Sequence, residues 1–127
     1  MRSLRRQLHT QPELSDREYD TQEFIIEFLK GLKLDEIQSM AETGVKGVIL
    51  TPGASETLGF RADMDALYIS EQNNCSYASK RPGIMHACGH DGHMALLLGL
   101  ARWCSEHRDS LKYNIVFIFQ PGEEGTG

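Results

Sequence analysis

The run YNIVFIFQ, residues 113–120, most constrains what this chain can fold into. It is a nearly continuous series of β-branched and aromatic side chains, which predicts a strand covered on both faces. A strand of that kind needs layers on each side of it. The flanking sequence supplies candidates. MALLLGLARWCSEH, 94–107, is apolar and long enough for a largely buried helix. VKGVILT (45–51) and ETLGFRA (56–62) read as two further strands joined by PGAS, a turn signal. Nearer the N-terminus, Leu4 and Leu8 share one face of a short predicted helix from Arg2 to His9. Phe24, Ile25, Phe28, Leu29 and Leu32 recur at helical spacing, with Gly31 near the end, and predict a helix over about 16–32. Ser15 and Glu18 have the spacing of a capping box at its start. The order helix, strand, strand, loop, helix, strand points to the α/β class, a layered mixed β-sheet with flanking helices.

Composition narrows the function. At 127 residues, 40% of them hydrophobic, the chain is domain-sized and can bury a core. A net charge of −5, with no basic cluster interleaved with aromatics, argues against nucleic acid as a partner. No apolar run approaches the length of a membrane span, and the N-terminus lacks an apolar signal segment. Three irregularly spaced cysteines do not make a disulfide framework. The expectation is a reducing, cytoplasmic setting.

Three short stretches carry chemistry. In MHACGHDGH, 85–93, Cys88 and His90 lie two apart, so in an extended loop both side chains project to one side and can share a cation. Thiolate and imidazole both suit zinc, manganese, nickel or cobalt. Gly83, Gly89 and Gly92 allow a tight loop there. The plainer reading is a buried cysteine beside surface histidines. In QPGEEG, Glu123 and Glu124 are adjacent carboxylates just past the carboxyl end of the predicted strand, where α/β folds place their sites. Such neighbours repel when desolvated unless a cation or proton compensates. A metal would leave one of them free as a base. Alone, the pair reads more readily as a solvated acidic turn. In FRADMDAL, Asp63 and Asp65 alternate at a strand end and are expected on one face at the crevice edge, with Asp65 able to orient a ligating histidine. The joint placement of all three stretches in loops flanking predicted elements favours a metal-assisted hydrolase.

LRRQLHTQPELSDREYDT, GFRADMDAL, PGIMHACGHDGHMALLLG and FQPGEEGTG resemble, in order, the N-terminal motifs of the hippurate hydrolase-like N-acyl-amino-acid amidohydrolases. These belong to the aminoacylase/carboxypeptidase-like metallopeptidase superfamily. The resemblance implies that residues 1–127 are the N-terminal part of a zinc-peptidase-like catalytic domain. It also implies two divalent metal ions, with Cys88, His90 and Glu124 among the ligands, Glu123 as general base and Asp65 supporting the site from behind. The implied substrates are small N-acyl amino acids, and the implied full-length form is a homo-oligomer. His86, His93 and His9 match the motifs without being implied ligands, and Tyr68 stands where the family commonly has proline. The family pattern places further histidine ligands and an inserted dimerisation domain beyond Gly127. This chain alone is therefore expected to bind metal weakly and to hydrolyse nothing appreciable. Two alternatives compete with the hydrolase: a truncated homologue serving as a binding module, and a purely structural metal site.

Overall fold

The computed structural model describes residues 1–125. Helix α1 spans Arg2–Thr10 and α2 Tyr19–Lys30; strands β1, β2 and β3 span Glu36–Met40, Gly44–Ile49 and Thr57–Asp63; α3 spans His90–Glu106 and β4 Asn114–Gln120. The strands form one sheet in the order β1-β2-β4-β3. β4 runs antiparallel to β2 and parallel to β3, so the sheet is mixed and the chain is α/β, as its pattern predicts. No helix among the described residues is long and apolar enough to cross a membrane.

Packing explains why β4 is central. Ile115, Phe117 and Phe119 alternate inward and meet Val45 and Ile49 of β2 on one side and Ala62 of β3 on the other. Onto this face α2 sets Ile25 and Leu29, and α3 sets Met94, Leu98 and Ala101, all buried. Gly47 lets them close on the sheet, because a Cβ there would lie 2.7 Å from Leu34 Cδ2 and 3.4 Å from Leu29 Cδ1. The expectation of a strand covered on both faces is half right: Val116 and Ile118 point the other way, stay half-buried and lie outside the core. A β-branched run does not record which of its faces is the better covered.

The PGAS turn forms between the two expected strands, with Ala54 N–H donating to the Thr51 carbonyl at 3.0 Å and Gly53 at φ +79°, and the strands it joins do not pair with each other. β4 lies between them. Other expectations need correction. β1 has no counterpart in the expected elements, because Ile37 is its one partly buried residue and no apolar alternation marks it. The capping box is absent. The turn at 14–17, with Asp16 at φ +58°, delays α2 to Tyr19, and the Asp20 and Thr21 amides donate instead to the buried Glu13 carboxylate at 3.3 and 2.8 Å. Ser15 and Glu18 are thereby released for other partners. Finally, α3 starts at His90, four residues earlier than its apolar run suggests.

Candidate metal centre

Since β3 and β4 are parallel neighbours in register at Asp63 and Gln120, the loops leaving their carboxyl ends emerge side by side. Asp65 stands in the first loop and Glu123 and Glu124 in the second. Met64 N–H donates to the Gln120 carbonyl at 2.8 Å, which keeps the two loops together past the last ladder pair. The third contributor is the start of α3. Gly89, at φ +102°, turns the chain between Cys88 and His90 and then caps the helix. The two side chains therefore converge through a left-handed glycine, not through the alternation of an extended loop.

One donor atom each from Cys88, His90 and Glu124 lies within 4.8 Å of the others. The ring of His90 is oriented from behind: Nδ1 is 3.0 Å from the Asp65 carbonyl oxygen and 3.4 Å from Asp65 Oδ1. A proton on Nδ1 leaves Nε2 free as a lone pair. That Nε2 is 3.8 Å from Glu123 Oε2, whose side chain is half exposed. Asp65 itself is fully buried. Its Oδ2 accepts from Ser15 Oγ at 2.7 Å and from the Glu124 amide at 2.6 Å, so one carboxylate joins the N-terminal loop, the β3 end and the Glu124 loop. Its Oδ1 is buried without a hydrogen-bond partner among the described residues. Asp63 does not join this group; it pairs with Arg61 at 3.0 Å.

The donor set fits a divalent cation. Burial, aided by the Glu124 carboxylate, pushes the Cys88 thiol above its ordinary value. Protein groups alone thus disfavour a thiolate beside that carboxylate, and a cation between them would reverse the preference. Sulfur, imidazole nitrogen and carboxylate oxygen together suit zinc and its first-row neighbours.

The partners of several supporting residues escaped sequence reasoning. Glu18 is fully buried and accepts from Thr43 Oγ1 at 2.6 Å and from the Gly122 amide at 3.0 Å, anchoring the start of the Glu123–Glu124 loop. Asp91, next to His90, is buried with Oδ2 at 2.7 Å from both Arg5 Nε and His9 Nδ1. The other nitrogen of His9 is 3.2 Å from Glu71 Oε1, so His9 straps the loop before α3 onto the helix start. His86 is buried, and burial chiefly pulls its imidazole down to about 4. His93 is exposed, 6.0 Å ring to ring from His90. The one hint available for Asp91 was a carboxylate opening an otherwise apolar helix.

Two cavities flank the centre. One of about 430 Å³ has Glu124 on its wall with Ser15, Arg17 and Tyr68. Another, of about 530 Å³, has Cys88 on its wall with His86 and Glu71.

Comparison with known proteins finds relatives over nearly the whole chain. The chain is similar to an N-acyl-L-amino acid amidohydrolase of Geobacillus stearothermophilus, 45% identical over 120 residues that make up 94% of this chain and 32% of that protein. It is 46% identical to an N-acetyl-L-cysteine deacetylase of Bacillus subtilis over 98% of this chain and 30% of that one. The crystal structure of the Bacillus subtilis YXEP protein, described as a dinuclear metal binding peptidase from the M20 family, superposes with a TM-score of 0.91 at 43% identity, covering 96% of this chain and 34% of its own. The chain thus spans about a third of the length of the relatives it matches. The model of peptidase family M20/M25/M40 matches residues 59–127, more than half of the sequence and all three loops of the centre. The chain belongs to that family.

Proposed function

We propose that these residues form the N-terminal part of the catalytic domain of a metal-dependent amidohydrolase that cleaves N-acyl amino acids. The observation that carries this reading is the convergence of Cys88, His90 and Glu124 to within 4.8 Å beside the carboxylate of Glu123. The names of similar proteins, an N-acyl-L-amino acid amidohydrolase and an N-acetyl-L-cysteine deacetylase, support the substrate class. A hippurate-like acyl group lies within that class.

Cys88, His90 and Glu124 would hold the metal, drawn from manganese, zinc, nickel and cobalt, with a second ion completed by ligands from outside this chain. Bound there, a divalent ion supplies Lewis acidity to water and to the amide carbonyl. The remaining work belongs to side chains. Glu123 Oε2, near His90 Nε2 and open to solvent, takes a proton from water and returns it to the departing amine nitrogen. Asp65 holds the His90 ring and the Glu124 backbone in place, so the ligands need little rearrangement. The full-length protein acts in the cytoplasm, where Cys75, Cys88 and Cys104 stay unpaired, and is a homo-oligomer. These 127 residues alone are inactive.

The test is Glu123→Gln in the polypeptide that carries this segment, assayed on N-acetyl amino acids with metal content measured in parallel. Turnover should fall by at least about a hundredfold with metal content unchanged. Undiminished turnover would remove Glu123 as base, and a wild-type protein idle on every N-acyl amino acid would remove the hydrolase.

A further inference from the structure

The fully buried carboxylate of Asp65 divides its work by oxygen. Oδ2 accepts the Glu124 amide at 2.6 Å and the Ser15 hydroxyl at 2.7 Å. Oδ1 has no hydrogen-bond partner among the described residues and faces His90 Nδ1 at 3.4 Å. The division matters to two of the three candidate ligands. If the carboxylate turned, Oδ1 would leave the His90 ring and the Glu124 backbone would lose its acceptor. Away from bulk water, the orientation of a carboxylate is set by the donors around it. The Glu124 amide and the His90 ring belong to the groups being held. Among the described residues, Ser15 is the one donor to this carboxylate that comes from elsewhere in the chain.

A serine hydroxyl in a turn is commonly a local tie. Here the turn is tied without it. Ala66 N–H donates to the Glu13 carbonyl at 2.7 Å and Arg17 N–H to the Leu14 carbonyl at 3.0 Å. The Glu13 carboxylate takes the Thr21 amide, and the Glu18 carboxylate takes Thr43 Oγ1 and the Gly122 amide. Removing the Ser15 hydroxyl therefore leaves residues 13–18 anchored, and the loss falls on Asp65. Packing also keeps the hydroxyl on its target. A Cβ at Gly125 would overlap Ser15 Cβ and Oγ, so the backbone just past Glu124 closes over Ser15 and confines it.

We infer that Ser15 is a positioning residue of the metal centre: its hydroxyl fixes the Asp65 carboxylate so that one oxygen stays on the His90 ring and the other on the Glu124 backbone. The inference rests on the reading of Cys88, His90 and Glu124 as metal ligands. It extends the support of the centre to the turn before α2, which holds none of those ligands. Ser15 acts on the metal only through Asp65, and this sets what its removal should and should not change.

The test reads zinc affinity and the His90 ring in the polypeptide that carries this segment, with no need of turnover. Zinc is titrated against a competing chelator into wild type, Ser15→Ala, Asp65→Ala and the double variant. Ser15→Ala should bind zinc at least about tenfold more weakly, the loss typical of removing a partner behind the ligands. In the Asp65→Ala background the same substitution should change affinity by less than about twofold, because the carboxylate through which it acts is gone. In zinc-loaded protein labelled with ¹⁵N-histidine, the His90 Nδ1–H signal should shift in Ser15→Ala and exchange faster with solvent. A local tie would leave that signal where it is. The signal needs only the milder variant, so it decides the matter even where Asp65→Ala fails to fold. Zinc affinity of Ser15→Ala within about twofold of a zinc-binding wild type, an equal loss in both backgrounds, or an unmoved His90 signal would each overturn the role of Ser15 alone. Wild type that takes up no zinc would overturn the metal-centre reading and this inference with it.

Discussion

Glu18 offers the sharpest handle on how the fold positions the centre. Its carboxylate is fully buried and accepts two hydrogen bonds, from Thr43 Oγ1 at 2.6 Å and from the Gly122 amide at 3.0 Å. Glu18→Ala leaves both donors without an acceptor, and each orphaned donor costs about 1–3 kcal/mol. The expected loss is therefore about 2–6 kcal/mol, a large fraction of the 5–15 kcal/mol typical of a domain. Urea unfolding of the chain reads this as a drop in midpoint at constant slope. A second substitution isolates the mechanism. Thr43→Val removes one donor, so Glu18→Ala added to Thr43→Val should cost about 1 kcal/mol or more less than the sum of the two singles. Because Gly122 opens the loop of Glu123 and Glu124, zinc affinity should fall as well. A Glu18→Ala variant within about 0.5 kcal/mol of wild type, or strictly additive with Thr43→Val, would refute the reasoning.

Two further outcomes follow from the geometry. His86 sits near 4 in the fold against an ordinary value of 6.5, so the unfolded chain binds its proton more readily. Stability should fall as pH drops from about 6.5 toward 4, by on the order of 3 kcal/mol, and His86→Phe should flatten that part of the profile; parallel profiles would contradict it. Gly122 has φ +71°, and a Cβ there would lie 2.8 Å from Asp16 Oδ1. Gly122→Ala should destabilise by about 1–3 kcal/mol and loosen zinc binding, read by thermal unfolding with and without metal.

Much of this was legible in the sequence where chemistry and pattern coincide within a few residues. β4 declares itself because its apolar run is long and central. Cys88, His90, Glu123 and Glu124 declare themselves because they are reactive types crowded into two short loops. What stayed hidden depends on distant partners. β1 is a polar edge strand that exists by pairing with β2, so its own side chains carry little signal. The PGAS turn joins two strands as its sequence signals, but their pairing partner, β4, lies some fifty residues further along and sits between them. Ser15 and Glu18 fit a local capping pattern and were drawn away by Asp65, Thr43 and Gly122. A buried glutamate reads in sequence like any surface glutamate. Hence the candidate ligands could be picked out from sequence, while the buried partners of Glu18, Asp91 and His9 required the fold.

The central claim is that Cys88, His90 and Glu124 hold one divalent ion together. X-ray absorption at the zinc edge of the zinc-saturated protein tests it most directly. The account expects one sulfur scatterer at about 2.3 Å with nitrogen and oxygen at about 2.0–2.2 Å, and loss of the sulfur in Cys88→Ser. A zinc environment of nitrogen and oxygen alone in the wild type, or a sulfur signal that survives Cys88→Ser, would contradict it.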